Sequence, residues 1–134
     1  MSNHPSATQP LLLLIEDEPD TADLVTLIVK DMGYQVVHAA DGSEALEKIA
    51  LMPPPSLVLL DIQLPHVDGV TILETIRNTP DWQGVPVVML TAVADQHCIS
   101  KVASLKVQEY VLKPFKRDTL VKYVERARTR SAHP

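Results

Sequence analysis

Leu57-Val58-Leu59-Leu60-Asp61-Ile62-Gln63-Leu64-Pro65 is the stretch whose reading decides the fold. Four apolar residues in a row, without alternation, fit a strand buried on both faces, as in a parallel sheet covered by helices. The run ends on a carboxylate, which is costly beside a buried strand unless it has a purpose. Outward from this point the chain repeats one plan. Leu11 to Ile15 and Val85 to Leu90 are also continuous apolar runs, and Gln35 to Ala39 and Tyr110 to Leu112 are weaker strand candidates. Helical patterns lie between them. Pro19 suits a first helical turn, Leu24, Leu27 and Ile28 share a face, and Gly33 is a natural stop. Asp41 and Glu44 form a capping-box-like pair ahead of the stripe Ala45, Leu46 and Ile49. Val70, Leu73 and Ile76 make a third stripe, Ile99, Val102 and Ala103 a fourth, and Leu120, Val124 and Ala127 a fifth. Five strand–helix repeats imply an α/β fold, a doubly wound five-stranded parallel sheet with five helices on its two faces.

Composition narrows the class. A chain of 134 residues has room for one domain, and 46% hydrophobic residues can fill its core. The single cysteine, Cys98, excludes an intramolecular disulfide and suits a reducing compartment, so a cytoplasmic location is expected. A net charge of −5 disfavours a general nucleic-acid binder. No apolar run approaches the roughly 18 residues of a membrane span. Residues 1–10 are polar and aperiodic and read as a mobile leader without the regions of a signal peptide. Residues 11–130 read as the folded domain and 131–134 as a tail, leaving no space for an effector domain. The charge is segregated. Residues 1–112 carry 5 basic and 15 acidic side chains, whereas residues 113–134 carry 7 basic and 2 acidic.

Four polar features sit where strands end: Glu16-Asp17-Glu18, Asp61, Thr91, and Lys113 with Pro114. In an open α/β sheet, ligands bind beyond the carboxyl ends of the strands, so these residues should meet in one cleft. Crowded carboxylates repel and demand a cation. Mg²⁺ fits, because it takes one or two carboxylates and keeps water or phosphoryl oxygens as its other ligands. Lys113 would add a fixed positive charge and Thr91 a hydroxyl donor, a setting that suits a phosphoryl group. A carboxylate can itself attack phosphorus to give an acyl phosphate.

The chain resembles the receiver domain of two-component response regulators over roughly residues 10–130. The resemblance rests on Leu14-Ile15-Glu16-Asp17-Glu18, Leu57 to Pro65, Asp68-Gly69, Leu90-Thr91-Ala92 and Tyr110-Val111-Leu112-Lys113-Pro114-Phe115. Each is weak alone, and together in this order they are specific. The resemblance implies the flavodoxin-like strand order 2-1-3-4-5. It implies Asp61 as phosphoacceptor, Asp17 as direct Mg²⁺ ligand, Glu16 acting mainly through water, and the backbone carbonyl of Gln63 completing the protein's share of the metal shell. Thr91 and Lys113 would hold the phosphoryl oxygens, Thr91 and Tyr110 would form the switch, and Lys113-Pro114 would be a cis peptide. The donor would be a sensor histidine kinase or a phosphotransfer protein. Output would pass to a downstream protein through the face of the fourth helix, fifth strand and fifth helix, with a homodimer possible and no direct contact with nucleic acid or membrane. Such a module catalyses only its own phosphorylation and dephosphorylation. It departs from the family at Lys106-Val107, where Gly-Ala is common; lysine accepts positive φ poorly, so a tighter or differently shaped turn is expected there.

Other readings compete. Alone, Glu16 to Asp20 is an acidic helix start, Thr91 a cap, Lys113 a surface cation and Tyr110 a strand aromatic. Lys116, Arg117, Lys122, Arg126, Arg128 and Arg130 form a solvated helix face or, more sharply, a partner surface. His4, His38, His66, His97 and His133 show no metal spacing and receive no catalytic role. The receiver could be one part of a longer regulator or hybrid kinase. A Mg²⁺-dependent phosphatase of the haloacid dehalogenase type would place a second Asp where Gln63 stands. A flavodoxin-like FMN binder would need a phosphate-cradling loop where Glu16-Asp17-Glu18 would repel phosphate.

Overall fold

The computed structural model describes residues 9–65, 67–92, 100 and 104–131. Along the chain run β1 (Leu11–Ile15), α1 (Pro19–Asp31), β2 (Gln35–Ala39), α2 (Gly42–Leu51), β3 (Leu57–Asp61) and α3 (Gly69–Asn78). A 3₁₀ turn (Pro80–Trp82), β4 (Val87–Thr91), β5 (Glu109–Leu112) and α4 (Arg117–Ser131) follow. The strands form one sheet in the order β2-β1-β3-β4-β5, and every neighbouring pair is parallel. This is the expected doubly wound order.

Period-two alternation divides the core. Leu13, Ile15, Val58, Leu60, Val87 and Met89 pack with α2 and α3 on one face. Leu12, Leu14, Leu57, Leu59, Val88 and Leu90 pack with α1 and α4 on the other. Strands β3 and β4 are buried along their whole length, which is why they read as unbroken apolar runs.

Several expectations need correction. The face of α1 against the sheet is Ala22, Val25, Ile28 and Val29, while Leu24 and Leu27 are 48% and 66% exposed. The apolar residues of this helix span more than one face, and the side bearing small Ala22 and β-branched Val25 and Val29 is the one that packs. Strand β4 starts at Val87 rather than Val85, because Pro86 has no N–H to give the ladder; its carbonyl accepts from the Val58 amide. Strand β5 starts one residue early, at Glu109. The expected helix around Ile99, Val102 and Ala103 lies outside the described residues. So do residues 1–8 of the expected leader, the end of the tail from 132, and His66, His97 and Cys98. Four helices of eight or more residues are therefore seen among the described residues. No helix among them is long and apolar enough to cross a membrane.

The turn before β5 departs from the expectation that lysine would avoid positive φ there. Lys106 has φ 62°, in the left-handed region. The guanidinium of Arg77 donates to the carbonyls of Leu105 and Lys106 at 2.7 and 2.9 Å, and to those of Gln83 and Val85 at 2.9 and 2.7 Å.

Candidate functional site

The register aligns the carboxyl ends of all five strands. Ile15 lies between Ala39 and Leu60, Asp61 lies opposite Leu90, and Thr91 lies opposite Leu112. Glu16 leaves β1 fully buried and has every polar atom engaged. Its N–H donates to the Ala39 carbonyl at 3.1 Å, and its carbonyl accepts from His38 Nε2 at 2.7 Å. One carboxylate oxygen accepts from the Glu18 amide at 3.1 Å, and the other meets Lys113 Nζ at 2.7 Å. Glu18 is the N-cap of α1, accepting from the Thr21 amide at 2.7 Å, so the acidic stretch turns directly into the helix.

Asp61 ends β3 and is 4% exposed. Its Oδ1 accepts from the Gln63 amide at 3.0 Å, and its Oδ2 lies 3.1 Å from Lys113 Nζ. Lys113 itself is anchored by its own N–H to the Thr91 carbonyl at 2.8 Å, and Lys113-Pro114 is cis. Residues up to 97 positions apart thus meet in one pocket.

Charge is concentrated here. Glu16, Asp17 and Asp61 can each bring a carboxylate oxygen to within 4.8 Å of the others. Burial pushes the Glu16 carboxyl above its ordinary range, with the Lys113 and Glu18 hydrogen bonds drawing it partly back. Burial works to lower the Lys113 ammonium, but its bonds to Glu16 and Asp61 outweigh that, and its affinity for the proton is raised. A cluster of three hard oxygen donors, two of them paired with one ammonium, suits a small divalent cation, and Mg²⁺ fits this donor set.

The other expected residues fall nearby. Thr91 ends β4, buried, and points to the same side of the sheet as Met89 by the alternation of the strand. Tyr110 is the register partner of Met89 and is half-buried against the α2–α3 side of the core. Thr91 and Tyr110 therefore share a sheet face. Gln63 is exposed, and its amide contact with Asp61 was not foreseen. Nor was the His38 contact with Glu16, because side-chain bonds to backbone leave no trace in hydrophobic period. Glu109, buried in β5, pairs with Arg126 of α4 at 3.3 Å, so part of the basic helix is engaged internally.

Residues 12–125 match the family model of the response regulator receiver domain. The DNA-binding response regulator MtrA of Mycolicibacterium smegmatis is 36% identical over 119 residues, which cover 89% of this chain and 50% of that protein. The sensor histidine kinase TmoS of Ectopseudomonas mendocina is 35% identical over 107 residues, 80% of this chain and 11% of that one. The chain thus spans at most about half the length of these relatives. Among solved structures, a CheY-like receiver domain protein of Methanospirillum hungatei superposes with a TM-score of 0.85 at 25% identity, covering 93% of this chain and 98% of the other. The receiver domain of a sensor histidine kinase of Pseudomonas aeruginosa, solved with a magnesium ion coordinated in its active-site cleft, gives 0.81 at 29% identity, with 91% and 99% covered. Domains of this kind receive phosphoryl groups in two-component signalling rather than turning over external substrates, and this chain belongs to the response regulator receiver domain family.

Proposed function

We propose that Asp61 is the phosphoacceptor and that the donor is the phosphohistidine of a sensor histidine kinase or phosphotransfer protein. The observation that carries this reading is the convergence of Glu16, Asp17, Asp61 and Lys113 at the carboxyl edge of the sheet. An Asp61 carboxylate oxygen attacks phosphorus, the P–N bond to the donor imidazole breaks, and the imidazole leaves with the electron pair. The product is an acyl phosphate on Asp61. The Gln63 amide, which bonds Oδ1, orients the carboxylate for attack. Lys113 turns its ammonium from the carboxylates toward the arriving phosphoryl oxygens, and the Thr91 hydroxyl donates to the same group. Mg²⁺, held by Asp17, Asp61 and the Gln63 carbonyl with Glu16 acting through water, supplies charge neutralisation at those oxygens when bound.

In this reading Thr91 and Tyr110 carry the signal outward along their shared sheet face. The surface of the helix expected around Ile99, of β5 and of α4 then changes its affinity for a downstream protein or a second copy of the chain. The greater length of the curated relatives supports a second reading, in which residues 11–130 are the receiver of a longer regulator or hybrid kinase.

The test is exposure to acetyl phosphate with Mg²⁺, followed by intact mass. Wild type should gain one phosphoryl group, Asp61→Asn none, and Lys113→Ala should react about 100-fold more slowly, the loss typical of a charge-stabilising donor. Equal labelling of Asp61→Asn overturns the assignment. Continuous phosphate release from simple phosphomonoesters would favour a phosphatase.

A further inference from the structure

We infer that His38 is a positioning residue for the metal site, and that it acts by holding the Glu16–Asp17 peptide in place. This rests on the reading of Glu16 and Asp17 as the Mg²⁺-binding pair.

The His38 contact lies at the end of the β1–β2 ladder. Strands β1 and β2 pair up to Ile15 and Ala39, and the Glu16 N–H adds one more rung to the Ala39 carbonyl at 3.1 Å. In a parallel ladder, a residue that donates in this way accepts at its own carbonyl from the amide two positions further along the partner strand. That amide would belong to Asp41. Asp41, however, is the N-cap of α2, where the chain has already left the sheet. The Glu16 carbonyl, on a fully buried residue, therefore loses its ladder partner as β2 turns away. An unpaired buried carbonyl is costly. His38 Nε2 replaces the missing rung at 2.7 Å.

The chemistry of the contact fixes the ring. A carbonyl oxygen can only accept, so the proton must reside on Nε2. The contact also fixes the peptide. Because the unit is planar, holding the Glu16 oxygen and the Glu16 N–H sets the position of the Asp17 nitrogen and Cα. Asp17 is exposed, so its carboxylate depends on backbone placement more than on packing. His38 is itself held in β2, beside Leu14, and the exit from β2 is fastened where the Ala40 amide donates to Glu44 at 3.0 Å at the capped start of α2. The support thus runs from a helix cap, through an edge strand, to the loop that carries two of the three clustered carboxylates.

Glutamine and asparagine separate this role from bulk. The Nε2 of glutamine stands the same number of bonds from Cβ as the Nε2 of histidine, whereas the asparagine amide falls one bond short. The experiment measures Mg²⁺ affinity by calorimetric titration for wild type, His38→Ala, His38→Gln, His38→Asn and Asp17→Asn, with melting temperature recorded for each. His38→Ala and His38→Asn should bind Mg²⁺ about tenfold more weakly, the low end of the loss seen when a group that orients metal ligands is removed. His38→Gln should recover most of that affinity, and Asp17→Asn should lose binding. Melting temperature alone does not carry the result, since a merely structural role would lower it without moving Mg²⁺ affinity in the folded protein. If His38→Ala and His38→Asn bind Mg²⁺ as tightly as wild type while Asp17→Asn does not, the inference on His38 fails and the metal-site reading stands. The inference also fails if glutamine binds as weakly as alanine. If Asp17→Asn binds like wild type, the metal-site reading itself fails.

Discussion

Lys106 and Arg77 show how one strained residue is held by another. A side chain at φ 62° crowds its own carbonyl, at a cost of about 1–2 kcal/mol. Lys106→Gly removes that cost but frees the unfolded chain, so a net gain of about 0.5 kcal/mol is expected as a higher urea midpoint. Arg77 secures the same turn through four carbonyls from two loops, and Arg77→Ala should lower stability by about 2–3 kcal/mol in the same measurement. Tyr34 presents the opposite case. Its ring is 2% exposed, and its hydroxyl has no hydrogen-bond partner among the described residues. Burial raises its ionisation above the ordinary value, because phenolate is disfavoured inside the fold. The neutral form is thus the folded one. Its contribution is intact below the unfolded value near pH ~10 and is lost as pH climbs through the higher folded value. Tyr34→Phe should therefore match or exceed wild type at neutral pH and lose less melting temperature between about pH 9 and about pH 12, a window that brackets the ordinary tyrosine value. A steeper alkaline loss in the variant would contradict this account.

Elements were legible to the degree that one physical signal dominated each of them. Strands β1, β3 and β4 announce themselves because helices cover both faces of the sheet, so no polar residue interrupts the runs. The helix α2 was legible from its cap: the Glu44 amide lies 2.8 Å from the N-cap Asp41, while the Glu44 carboxylate reaches one residue past it, to the Ala40 amide at 3.0 Å. The buried face of α1 was not legible, because apolar residues on more than one side leave hydrophobic period without a single answer. Its cap was hidden too, since Glu18 is outside the usual N-cap set and its carboxylate was read only as part of an acidic stretch. The helix α3 carries a cap whose loss can be separated from the site. Asp68 accepts from the Thr71 amide at 2.9 Å, and Asp68→Ala should cost about 1 kcal/mol while leaving phosphorylation by acetyl phosphate near wild type. Its neighbour Gly69 is different, because a Cβ there would stand 2.5 Å from Ile62 Cα and 2.7 Å from the Asp61 carbonyl. Gly69→Ala should push directly on the segment after the acceptor and lower both stability and phosphorylation rate, and intact mass against time checks the two variants side by side.

At the scale of the molecule, the fold converts a scattered sequence pattern into a concentrated charge. Glu16 and Lys113 are 97 positions apart yet 2.7 Å from each other, and only a strand order that brings β5 to the same edge as β1 and β3 makes that pair foreseeable. The basic end of the chain was legible as charge but not as structure. Arg117 pairs with Asp31 of α1, and Arg126 pairs with Glu109 while lying 5.3 Å from the Tyr123 ring, so α4 uses part of its charge to clasp the body of the fold. At the opposite side of the balance, three carboxylates cluster with only two of them paired to the Lys113 ammonium, and the folded chain holds them together against their repulsion. A divalent cation that binds this cluster binds the folded state alone, so it must stabilise it. The gain should be about 1.4 kcal/mol at ten times the dissociation constant and about 2.7 kcal/mol at one hundred times. Without Mg²⁺, Lys113→Ala should destabilise the chain by about 2–3 kcal/mol, because two buried carboxylates lose their counter-charge. Asp61→Asn relieves repulsion instead, so it should melt higher than wild type in chelator and rise less when Mg²⁺ is added. Thermal melts of the three proteins across a Mg²⁺ titration read all of these differences. A melting temperature of wild type that does not respond to Mg²⁺ would mean that Lys113 alone neutralises the cluster, and that the carboxylates are arranged for the ammonium and not for a metal.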